Sequence, residues 1–242
     1  MRKLILCEGK TDAILLSYYL EKTCGWTYQK KAPRTLDIRA DESKGESSNW
    51  YSNGNDNLLI CAVGGKDNFG KFFGEKIYNP MFQSNAFSRI AVITDRDNRD
   101  EQAIIDTLLI SLKSIITCIT NDIWVPNTYE DSFKQHESVD FLLVIIPPDK
   151  EGALENLLLE TISENEYDKA IVSQCIDYVN RIQPMASNYI HKNRLKLKAT
   201  LGVTWAIQSP DKVFSFFDEQ IRSVKWEDSQ VLARCFKQLH DI

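Results

Sequence analysis

The sequence predicts an α/β fold: a mostly parallel central sheet flanked by helices, followed by a helical C-terminal part. Three observations carry this. Short apolar runs at 4–7, 58–63, 89–94 and 140–146 lack the alternation of a half-wet strand, as strands covered on both faces do. Helical stretches separate the first three. After Pro147-Pro148 the strand signal fades, and helix-like segments follow at 152–162, 167–182, 188–201, 210–221 and 228–239. The division falls near residue 150. Residues 1–150 read as the α/β core and 151–242 as a helical extension packed on it.

The elements follow in order. The first strand runs into Glu8-Gly9-Lys10-Thr11-Asp12, then a helix with Ile14, Leu15, Tyr18 and Tyr19 at helical spacing. Residues 25–56 are polar and read as an insertion or mobile loop. The second strand ends at Gly64-Gly65-Lys66, ahead of a helix around 69–77. The third ends at Asp95-Arg96-Asp97-Asn98, ahead of a helix over 101–116. The fourth stops at Pro147-Pro148. No internal repeat is present.

Composition bounds the class. The chain has 242 residues, 43% hydrophobic and 26% charged, which excludes a disordered chain, a collagen-like fibre and a long coiled coil. No apolar run approaches the roughly 18 residues of a membrane span. The N-terminus lacks an A-x-A-like cleavage site and does not read as a signal peptide. Six scattered cysteines form no C-x-x-C pair and no Cys/His cluster. This argues against structural zinc and for a reducing, cytoplasmic compartment. The net charge of −5 does not advertise nucleic-acid binding, although a local basic face can act on an acidic chain.

Chemistry collects where the strands end, as it does in open α/β sheets. Glu8 and Asp12 follow the first strand, and Asp95 and Asp97 the third. Carboxylates gathered at one sheet edge repel one another unless a cation is present. Oxygen donors suit a hard ion, Mg²⁺ or Mn²⁺. Asp95 and Asp97 are two apart, so within a strand they would face one side.

Glu8-Gly9-Lys10-Thr11-Asp12 after one strand and Asp95-Arg96-Asp97 after a later one resemble the TOPRIM domain. That fold is shared by topoisomerases, bacterial primases, maturases and OLD-family nucleases. The resemblance covers roughly residues 1–150 and implies a Rossmann-like sheet. The family's glutamate falls on Glu8 and its aspartates on Asp95 and Asp97. The 25–56 insertion accounts for the wide spacing between the motifs. Gly9-Lys10-Thr11 is not a P-loop, because Leu4 stands where that motif needs glycine. Gly64-Gly65 reads as a close backbone approach, with Lys66 a candidate phosphate contact.

In OLD-like nucleases a helix after the last strand adds an acid, and a later lysine completes the site. Glu155 is similar to that acid; a solvated first-turn glutamate is the plain alternative. The run His191-Lys192-Asn193-Arg194-Leu195-Lys196-Leu197-Lys198 is the one dense cationic stretch. Helical spacing puts Arg194 and Lys198 on one face and Lys192 and Lys196 on another. All four are candidate nucleic-acid contacts, with Lys196 or Lys198 the catalytic lysine. Trp205, Phe214, Phe216, Phe217 and Trp226 read as packing residues, and His136 and His240 carry no motif.

The resemblance implies a Mg²⁺- or Mn²⁺-dependent nuclease acting on DNA or RNA. Glu8, Asp95 and Asp97 would be catalytic and would hold the metal, with Asp12 and Glu155 helping. OLD-type nucleases usually carry an ATPase. This chain has none, so a separate ATPase partner, as in two-gene phage defence, follows by analogy. Two other readings stay open: a phosphatase or phosphotransferase with Asp95 as nucleophile, and a non-catalytic interaction module.

Overall fold

The structure, a computed structural model, describes residues 1–31, 33, 36, 38–112, 115–212 and 226–242. Its strands are β1 (Arg2–Cys7), β2 (Thr27–Gln29), β3 (Glu46–Asn53), β4 (Asp56–Val63), β5 (Arg89–Asp95), β6 (Val125–Glu130) and β7 (His136–Ile146). They form one sheet in the order β2-β3-β4-β1-β5-β7-β6. The inner four, β4, β1, β5 and β7, are parallel. β2 and β3 extend one edge and β6 the other, all antiparallel. The register sets Cys7 against Ala62 and Ile93, and Asp95 against Ile146. The carboxyl ends of the inner strands therefore finish nearly level.

Alternate residues of these strands point to opposite faces, and both faces are covered. On one, Ile5, Ile60, Ala91 and Val144 pack with α1 (Lys10–Cys24), α5 (Leu154–Ile162), α7 (Asn193–Gln208) and α8 (Gln230–Cys235), through Leu16, Leu157, Trp205 and Leu232. On the other, Leu4, Cys61, Val92 and Leu143 meet α2 (Phe69–Phe72), a π turn (Phe73–Ile77), α3 (Tyr78–Ser84) and α4 (Glu101–Leu112). Helix α6 (Glu166–Ile182) buries only a narrow stripe of Val172, Cys175 and Val179. The chain leaves β1 for β4 with α1 on one face, and leaves β5 for β7 with α4 on the other. The crevice between β1 and β5 is thus the topological switch point.

The insertion is not a mobile loop throughout. Glu46–Asn53 pairs along the whole of β4, and Thr27–Gln29 pairs on it in turn. Trp50 and Tyr51 are buried, and Lys76 pairs with the buried carboxylate of Glu46. The β3–β4 turn is two residues, Gly54-Asn55, with Gly54 at φ 57°, the left-handed backbone that tight hairpins need. β6 is a second addition: its buried positions include Asn127, whose Oδ1 accepts from the backbone of Thr117 and Cys118. Helix α4 is described over Glu101–Leu112, and residues 115 and 116 are not helical. Of the segment 210–221, Pro210–Lys212 forms a 3₁₀ turn; the remainder, with Phe214, Phe216 and Phe217, lies outside the described residues. Trp205 and Trp226 are buried as packing residues. His240 Nε2 shares a 2.8 Å hydrogen bond with Tyr19 Oη. Among the described residues no helix is long and apolar enough to cross a membrane.

Gly64 marks the close approach. Its φ is 79°, and a Cβ there would lie 2.2 Å from the carbonyl oxygen of Lys44. Backbone cannot yield as a side-chain tip can. Gly64→Ala is therefore expected to cost about 2–3 kcal/mol, combining left-handed strain with overpacking. Urea denaturation measures it; a change within about 0.5 kcal/mol would contradict the packing described.

Candidate functional site

Glu8 leaves the end of β1 directly into the switch-point crevice. It is 3% exposed. Its Oε1 accepts from Thr94 Oγ1 at 2.6 Å and from the Asp95 N–H at 2.9 Å. Its carbonyl accepts from Gly65 N at 2.8 Å, tying the β4 loop to the same edge. Gly9 then caps α1, and Asp12 in the first turn accepts from Gly9 N at 3.0 Å. This satisfies a helix-terminal donor, and an acid there suits the dipole. The side chain is nonetheless buried, unlike an ordinary first-turn acid.

Asp95 closes β5 and is 2% exposed. Its Oδ1 accepts from Leu154 N at 3.0 Å, and its Oδ2 meets Arg194 Nη2 at 3.0 Å. Glu155 follows Leu154 in the first turn of α5. It is 9% exposed, and its Oε2 is buried without a partner. Lys198 Nζ lies 3.7 Å from its Oε1. Arg194 and Lys198, one turn apart on α7, thus face the carboxylates together.

Asp97 is placed differently from the strand argument. β5 stops at Asp95, and Asp97 turns away with φ 52° in a bridge to Gly152. Its Oδ2 pairs with Lys66 Nζ at 2.6 Å. Lys66 therefore lies at the site's rim, bound to a carboxylate. Among the described residues, Lys192 and Lys196 make no side-chain contact with these acids.

The charges strain against one another. Burial, then the charge of Glu8, pushes the Asp12 carboxyl up from 3.8 to about 7, against backbone hydrogen bonds that lower it. Burial, then Asp12 and Glu8, pushes Asp95 up to about 8, although Arg194 pulls it down. Half-burial acts to lower Arg194, but Asp95, Glu155, Glu8 and Asp97 outweigh it and raise its hold on the proton. The guanidinium therefore senses all four acids.

Several residues were not legible as site residues. Thr94 reads as an ordinary β-branched strand residue, yet it fixes Glu8. Arg96 donates to the carbonyls of Pro147 and Pro148, and Arg99 to that of Asp95. Both brace the loop backbone. Only the basic character of D-R-D-N-R hinted at them.

The donor set is all oxygen, and one buried carboxylate oxygen is unpartnered, which fits a hard divalent cation. Among the described residues no three acidic, histidine or cysteine side chains are arranged to hold a metal as they stand. Arg194, Lys198 and Lys66 supply the counter-charge instead.

Fold and site together define an α/β protein with buried acids gathered at the carboxyl edge of a parallel sheet and faced by basic side chains. The chain belongs to the family described as "Protein of unknown function (DUF3226)", whose model matches residues 2–239. It is similar to the crystal structure of hypothetical protein PH0156 from Pyrococcus horikoshii OT3. The likeness covers 98% of this chain and 99% of that one, at TM-score 0.50 and 16% identity. That likeness shows a shared fold. No curated protein matches the chain.

Proposed function

We propose that this protein is a metal-dependent nuclease of the TOPRIM type, similar to the OLD family. One observation carries the reading: Glu8, Asp12, Asp95 and Glu155 meet, buried, at the β1/β5 switch point, opposite the cations of α7. Acids this buried and this close are costly without a strong counter-ion. Glu8, Asp12, Asp95 and Glu155 would hold Mg²⁺ or Mn²⁺, with Asp97 at the rim. A bound ion of this kind supplies Lewis acidity and an activated water. Lys198 neutralises charge on a scissile phosphate, and Lys66 holds Asp97. Lys192, the residue before α7, and Lys196 within it would meet the nucleic-acid backbone further out. A separate ATPase is the partner that the analogy with the OLD family adds.

Asp95 as a phosphatase nucleophile is the second reading, and it leaves the burial of Glu8, Asp12 and Glu155 beside it without a role. The deciding assay incubates the protein with supercoiled plasmid, single-stranded DNA and total tRNA, in Mn²⁺ and in Mg²⁺. A Glu8→Gln/Asp95→Asn double variant runs beside it. Cleavage by the wild type and none by the variant is expected, and the cleaved polymer names the substrate class. Equal cleavage by both would overturn the site. Absence of both cleavage and calorimetric metal binding would leave a non-catalytic module.

A further inference from the structure

Arg194 stands where a cation would. Its Nη2 lies 3.0 Å from Asp95 Oδ2, and the charges of Asp95, Glu155, Glu8 and Asp97 all act on it. Yet its side chain is 46% exposed while Asp95 is 2% exposed. One partner is fixed and the other can swing out. The neighbouring Glu155 Oε2 is buried and unsatisfied, so the arginine does not complete the site. A guanidinium offers a planar fork suited to carboxylate or phosphate. It cannot bring the oxygens of several carboxylates around a single point, as a hard ion does.

Resting on the nuclease reading, we infer that Arg194 is an exchangeable counter-ion: it holds Asp95 in the metal-free protein, yields it when a divalent cation binds, and then turns to the substrate's phosphodiester. Arg194 keeps the acids folded together without metal, and it delivers its charge to the phosphate only once the site is loaded. The exchange replaces one positive charge with two, which a cluster of buried carboxylates favours because they otherwise repel one another. Lys198 does not play this part, since its 3.7 Å approach to Glu155 is looser.

The inference predicts an unusual sign. If Arg194 served only to hold the acids in place, removing it would loosen the site and weaken metal binding. Removing a competitor tightens it. Mg²⁺ affinity is measured by calorimetry at pH 8.5 for the wild type, Arg194→Gln and Arg194→Lys, each checked for cooperative melting. Arg194→Gln is expected to bind about tenfold more tightly, the scale on which one close opposite charge shifts a carboxylate equilibrium. Arg194→Lys, which keeps the competing charge, is expected to stay within about twofold of the wild type. If the wild type binds Mg²⁺ and Arg194→Gln binds no more tightly, the exchange is wrong and the nuclease site stands. If no variant binds Mg²⁺, both fall. Binding by Arg194→Gln alone would support the exchange in its strongest form.

Discussion

Asp12→Asn is expected to stabilise the metal-free protein at pH 8.5 and to change little at pH 4. Asp12 titrates near 7 in the folded chain, against 3.8 for an unperturbed aspartate, because burial and Glu8 disfavour its charge. Between these values the native state holds a proton that the unfolded state has lost. Stability therefore falls as pH rises through this window and levels off above it. Asp95, near 8, extends the decline in the same direction. A shift of this size corresponds to a few kcal/mol, about 1.4 per unit. An amide at position 12 removes the charge and can still accept from Gly9 N. The expected gain at pH 8.5 is about 2–4 kcal/mol, or roughly 5–10 °C in Tm for a chain of this length. Melting curves from pH 4 to 9, with and without Mg²⁺, measure it. The wild type should lose stability as pH rises and regain much of it with Mg²⁺, while Asp12→Asn should show a shallower decline. A wild-type curve that rises from pH 5 to 8 would contradict the buried-acid description.

The parts of this site that were legible in the sequence share a physical reason. β1, β4, β5 and β7 are covered on both faces, so their inner segments are continuous apolar runs, and an acid closing such a run is conspicuous. Glu8 and Asp95 are both of this kind. β3 was not legible because its buried residues are a charged one, Glu46, and the adjacent pair Trp50 and Tyr51, set among serines and asparagines. β6 was hidden because Asn127, whose amide satisfies backbone, occupies a buried position where an apolar residue would have signalled a strand. The orientation of Asp97 depends on a left-handed backbone at a non-glycine residue, which no periodicity encodes. The basic run posed a different problem. Spacing paired Arg194 with Lys198 and Lys192 with Lys196, yet only the docking of α7 decides which pair faces the acids. The pair that does includes Arg194, which a search for a catalytic lysine passes over.

Glu155→Gln is expected to separate the two readings of α5. A solvated first-turn glutamate would be dispensable. This one is 9% exposed, and one of its oxygens has no partner. An unsatisfied buried acceptor costs about 1–3 kcal/mol, so in the metal-free fold the carboxylate is a liability. Its neighbour Leu154 donates to Asp95, which ties the start of the helix to the site. The substitution preserves size and removes the charge. Mg²⁺ affinity is therefore expected to fall about 10–100-fold, on the scale of lost ligand support at metal sites, and cleavage about 10²–10³-fold. Metal-free stability should hold or rise, so lost activity could not be ascribed to unfolding. Glu160→Gln is the matched control. It lies on the same helix, 34% exposed, and pairs with Lys150 away from the acids. It should leave both measurements within about twofold, as surface ion pairs contribute little. Wild-type Mg²⁺ affinity in Glu155→Gln would remove α5 from the site and reduce it to the acids of β1 and β5.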